Sequence, residues 1–131
     1  MRGMVMGRLE MRGFTLIELL VVMAIIAMLI AVAAPRYFHS VQRSKETVLR
    51  HDLSAMRDAI DKYFSDTGVY PAGLDDLVQK RYLRKLPPDP VTESSATWVA
   101  VPPPDNGRGG VYDVRSGARG TALDGTAYSD W

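Results

Sequence analysis

Apolar residues are distributed unevenly along the chain. From Leu19 to Ala34 every position is apolar, LLVVMAIIAMLIAVAA, and the run reaches back to Phe14 with only Thr15 and Glu18 interrupting it. A helix over these 21 residues is roughly 31 Å long, about the hydrocarbon thickness of a bilayer. The pattern predicts a membrane-spanning helix. Beyond Pro35 it changes to a period of 3.6. Phe38, Val41, Val48, Leu49, Leu53, Met56, Ala59, Ile60, Tyr63 and Phe64 fall on one broad face, with Ser40, Arg43, Thr47, Arg50, Ser54, Asp58 and Asp61 opposite. This is an amphipathic continuation with a core-facing stripe. Lys45 and Asp52 intrude on its membrane-proximal part, which is expected to project ahead of the globular domain.

Ser65-Asp66-Thr67-Gly68 stops the helix, with Gly68 as the C-terminal cap. Leu74 to about Arg81 reads as a short second helix, with Asp75 and Asp76 in its first turn and Lys80 and Arg81 in its last, as the helix dipole favours. Leu86-Pro87-Pro88-Asp89-Pro90 is a rigid loop. Thr97 to Val101 and Val111 to Arg115 are strand candidates, joined by a Pro- and Gly-rich connection too long for a tight hairpin. The fold class is α+β: a long N-terminal helix packed on a small antiparallel sheet.

Composition narrows the function. Sixteen Lys and Arg against fifteen Asp and Glu leave a formal charge of +1, which argues against a dedicated nucleic-acid binder. The basic run from Lys80 to Lys85 has no wider basic stripe behind it and reads as a solvated helix end. Without cysteine there is no disulfide, thiolate metal site or cysteine nucleophile. His39 and His51 lie about 120° apart on the helix, so they cannot share a metal and are expected at the surface. No phosphate-binding loop and no paired-histidine motif is present, and the chain reads as a non-enzyme.

Three readings of the N-terminus compete. Arg2, Arg8 and Arg12 with Ala31-Val32-Ala33 have the makings of a secretory signal peptide, but the apolar run is too long and carries a carboxylate. An ordinary signal anchor is the second, although basic residues on both sides of the span leave its orientation undecided. The third rests on Gly13-Phe14-Thr15-Leu16-Ile17-Glu18 ahead of a spanning helix, which resembles the leader of type IV prepilins and pseudopilins.

That resemblance implies cleavage between Gly13 and Phe14 by a prepilin peptidase and N-methylation of Phe14. It implies a cytoplasmic leader, an inner-membrane single pass and a periplasmic head. A carboxylate within a span is costly and usually has a partner. Cleavage would create an amine at Phe14, which methylation leaves charged, so Glu18 of one subunit could pair with the amine of the next. The alternative is that Glu18 snorkels to the headgroups or takes up a proton. Pro35 either marks the membrane boundary or, as in pilins, sits inside one long helix; the resemblance favours the second.

Thr67-Gly68-Val69-Tyr70-Pro71, the stretch Tyr82 to Pro90 and Tyr112-Asp113-Val114-Arg115-Ser116-Gly117 are similar to the major pseudopilins of type II secretion systems. The implied organisation is a leader over 1–13, an assembly helix over 14–35, its amphipathic continuation over 36–66 and a head over 67–131. Implied partners are further copies of the chain in a homopolymer, minor pseudopilins, the peptidase, and an inner-membrane assembly platform with its ATPase. Major pseudopilins also hold calcium in an acidic C-terminal loop. Here Ser116, Asp124 and Asp130 are candidate ligands, but the stretch is poor in acid, and calcium wants six to eight oxygens. Packing of Trp131 into the core is the alternative staple. A type IV pilin, a competence pseudopilin and a membrane-anchored periplasmic binding module remain as alternative functions.

Overall fold

The structure, a computed structural model, describes residues 13–104 and 109–131. It divides into two compact units with the boundary between Phe38 and His39. Helix α1 runs Leu16–Thr67 with Pro35 inside it. In the first unit the apolar residues of α1 face outward, and none of the most apolar 18-residue window is buried within the chain. That helix is long and apolar enough to cross a membrane.

In the second unit α1 is followed by α2 (Leu74–Gln79), strands β1 (Val99–Val101) and β2 (Asp113–Arg115), and a 3-10 turn at Tyr128–Asp130. The strands pair antiparallel, with Ala100 opposite Val114. Helix α1 ends as expected: Gly68 adopts φ +76°, and its N–H bonds the Phe64 carbonyl at 2.8 Å. Only glycine holds that backbone without a Cβ penalty. Helix α2 stops earlier than the charge pattern predicts, because Arg81 takes φ +66° and the Tyr82 and Leu83 N–H groups turn back to the Leu77 carbonyl.

The core seam of α1 is narrower than the sequence stripe. Leu49, Leu53, Met56, Ile60 and Tyr63 alternate steps of four and three and are buried with Ala59. Phe38, Val48 and Phe64 lie off that line and stay exposed. Extending it one step toward the N-terminus lands on Glu46, which is buried. The seam packs with Leu77, Trp98, Val111, Val114 and Tyr128 in one hydrophobic core.

The proline-rich loop is bolted to the sheet region by polar contacts. Trp98 Nε1 donates to the Pro87 carbonyl at 2.7 Å. Asp89 is fully buried, and its carboxylate accepts from the Val91 N–H at 2.8 Å and the Ser116 hydroxyl at 2.6 Å. A buried carboxylate is tolerated only when its oxygens are satisfied this way.

Candidate functional site

The first candidate site is the N-terminal end of α1. Gly13, Phe14 and Thr15 precede the helix in non-helical backbone. The Thr15 carbonyl accepts the first helical bond, from the Leu19 N–H at 3.1 Å, and the Thr15 hydroxyl accepts from the Glu18 N–H at 3.1 Å. Thr15 is therefore the N-cap and Glu18 the third helical residue, the T-x-x-E spacing of a capping box. The cap fixes where helix begins and leaves the Gly13–Phe14 peptide bond outside it. A Cβ on Gly13 would meet nothing within 4 Å. Phe14 is 81% exposed. The three-residue spacing from Thr15 to Glu18 is the signal in the sequence for this cap.

The second candidate site is a polar face of α1 within the second unit. Gln42, Glu46 and Arg50 stand four residues apart, so they share one side of the helix. Gln42 Nε2 donates to the Tyr128 hydroxyl at 3.2 Å, and that hydroxyl donates to Glu46 Oε1 at 2.9 Å. Glu46 Oε1 also accepts from the Leu123 N–H at 2.8 Å. Arg50 pairs with Asp124 at 3.4 Å and lies 4.0 Å from the Trp131 ring centroid. Further along the helix, Arg57 donates through Nε to Asp113 at 2.8 Å and through Nη2 to the main-chain oxygens of Val114 and Trp131 at 2.9 and 2.8 Å. Arg50, Leu53, Arg57 and Trp131 line a cavity of about 310 Å³. Both of its guanidinium groups are already engaged.

Electrostatics follow from these contacts. Burial raises the Tyr128 hydroxyl pKa above its ordinary value, and the Glu46 carboxylate adds to the rise while Gln42 opposes it. Hydrogen bonds from the Thr126 hydroxyl and N–H hold the Asp124 carboxyl below its usual range, with Arg50 adding to them. Asp52 is raised, chiefly by burial; His51, 3.8 Å away, opposes this and Asp89 reinforces it. His39 and His51 are exposed, as expected.

The calcium expectation does not fit this arrangement. The Ser116 hydroxyl is buried and committed to Asp89. Asp124 Oδ1 accepts from the Thr126 N–H and hydroxyl, and Oδ2 faces Arg50. Of the three candidates, only Asp130 has a carboxylate without a partner among the described residues. Among those residues no group of three or more His, Cys, Asp or Glu side chains is placed to hold a metal ion. Trp131 instead packs against the core, its ring edge-on to Tyr128 and its Nε1 donating to the Thr126 hydroxyl at 2.7 Å.

An outward-facing apolar helix behind a capped, non-helical Gly-Phe junction, with a second unit in which the helix packs on a two-stranded sheet, is the arrangement of a membrane-associated protein of the pilin type. Comparison with known proteins agrees. Residues 10–34 match the family described as "Prokaryotic N-terminal methylation motif". The chain is 37% identical over 101 residues to the type II secretion system core protein G of Pseudomonas aeruginosa, covering 65% of this chain and 71% of that protein. It is 31% identical over 123 residues to the corresponding Escherichia coli protein, covering 82% and 81%, and 32% identical to the fimbrial protein EcpC of Eikenella corrodens, covering 88% and 78%. No solved structure matches it significantly. The chain belongs to the type IV pilin-like family that includes the pseudopilins of type II secretion. It is accordingly a structural protein and not an enzyme.

Proposed function

We propose that the chain is cut between Gly13 and Phe14 by a prepilin peptidase, methylated on the new amine of Phe14, and polymerised into a periplasmic pseudopilus that drives type II secretion. The observation that carries this reading is the capped start of α1. A protease needs extended backbone at the scissile bond, and the Thr15 cap ends the helix two residues short of it. Cleavage then releases a charged amine close to a helix N-terminus whose first turn carries Glu18.

In the polymer, Glu18 pairs with the Phe14 amine of a neighbouring subunit and sets its register. The apolar residues of the span leave lipid and pack against the spans of neighbouring copies. Small side chains at Ala31, Ala33 and Ala34 allow close helix approach, and Pro35 frees one backbone carbonyl where the helix can locally unwind. In this reading the leader lies in the cytoplasm and the second unit in the periplasm. Minor pseudopilins and an inner-membrane platform with its ATPase are the assembly partners. The likeness to a fimbrial protein supports a second reading, a type IV pilin, with the same chemistry in a different machine.

The chain lacks cysteine, which makes crosslinking clean. Cysteines introduced as Leu16→Cys and Met23→Cys should give a ladder of crosslinked oligomers in cells that hold the assembly machinery. Glu18→Ala should collapse that ladder toward monomer. A monomer in both backgrounds, with the chain correctly inserted, would leave an anchored binding module instead.

A further inference from the structure

We infer that the C-terminal tail of this chain, residues 118–131, is latched to the head by side chains of α1 and folds without a divalent cation. The small cysteine-free head has few other staples, so something must order this Gly- and Ala-rich segment. The helix supplies it in three successive steps on one side. Gln42 holds the Tyr128 hydroxyl, Glu46 holds both that hydroxyl and the Leu123 N–H, and Arg50 holds Asp124 and the Trp131 ring.

The rest of the tail closes on itself. Ala122 and Thr126 are joined by a backbone bond of 2.7 Å, and Asp124 Oδ1 binds the Thr126 N–H and hydroxyl. Ala122 and Tyr128 are buried in the process.

This arrangement opposes a metal at the same place for two reasons. The carboxylate and hydroxyl oxygens that calcium would need at Asp124 and Ser116 already accept or donate hydrogen bonds within the chain. The guanidinium of Arg50 lies beside Asp124, so a divalent cation there would meet a positive charge already present. Gln42, Glu46 and Arg50 together therefore order the segment that a bound cation would otherwise order.

The test is amide hydrogen exchange on the full chain in detergent micelles, followed at Ala122, Leu123 and Tyr128, with a calcium chelator or with millimolar calcium chloride. The expected result is slow exchange that is the same in both conditions. Glu46→Ala should speed exchange at Leu123 about tenfold, as loss of one hydrogen bond to a charged acceptor implies. Arg50→Gln, a milder change at an exposed position, should speed exchange near Asp124 and leave the core amides of α1 unaltered. Exchange that accelerates across the tail in chelator and slows again with calcium would overturn the inference. So would unchanged Leu123 exchange in Glu46→Ala. Should Glu46→Ala unfold the head, the chelator comparison and Arg50→Gln still decide.

Discussion

Arg57→Ala removes the most heavily bonded side chain on the polar side of α1. Its Nη2 bonds to the Val114 and Trp131 main-chain oxygens are charge-assisted, and each contributes about 1.5 kcal/mol. The ion pair with Asp113 has side chains 37% and 30% exposed, so solvent screening holds it to about 1 kcal/mol. These contributions share one guanidinium and do not add fully, which gives a loss of about 3 kcal/mol. The substitution also strips a partner from the carbonyl of Val114, a fully buried residue of β2. Urea unfolding of the full chain in detergent, followed by tryptophan fluorescence, measures the cost. Arg57→Lys keeps the charge but not the planar fork and should recover only part of it. Arg50→Ala breaks an ion pair whose side chains are 60% and 51% exposed and should cost much less. A loss below about 1 kcal/mol for Arg57→Ala, or a larger one for Arg50→Ala, would refute the reasoning that the bonds to β2 and Trp131 hold the tail side of the head.

Three further outcomes are expected. Asp89→Ala leaves the Ser116 hydroxyl and the Val91 N–H without their acceptor in a dry site, so it should destabilise the head by about 2–4 kcal/mol in the same unfolding assay. Gly117→Ala should cost about 1–3 kcal/mol, because a Cβ there would fall inside the contact distance of the Thr97 carbonyl oxygen; an unchanged urea midpoint would contradict that packing. Asp52 has its pKa raised in the fold, so the native state binds more protons than the unfolded chain. Its contribution is favourable below the unfolded carboxyl pKa and is lost as pH rises through the raised value. Asp52→Asn should remove that fall from the stability–pH curve, measured by unfolding from acid to neutral pH, and should stabilise the protein at neutral pH.

Much of the architecture was legible because its signals are local. Sixteen consecutive apolar residues, the T-G cap at Thr67-Gly68 and two β-rich runs predict α1, its end and the antiparallel pair. Helix α2 and both strands are shorter than predicted, because where they end depends on turns such as the one at Arg81, which no periodicity encodes. Glu46 and Asp89 were invisible as buried groups. A lone carboxylate on a helix looks solvated until the Leu123 N–H and Tyr128 hydroxyl, 77 and 82 positions away, arrive to satisfy it. The Thr15 cap was within reach of the sequence, since the T-x-x-E spacing is local. The calcium expectation came from resemblance alone, whereas the guanidinium of Arg50 beside Asp124 lies 74 positions from it along the chain.

Intact mass decides whether the chain is processed as proposed. The chain should be purified from membranes of a host that expresses a prepilin peptidase. The expected product begins at Phe14 and carries one added methyl group on its amine. An uncut chain, or one cut near Ala33, would contradict the proposal.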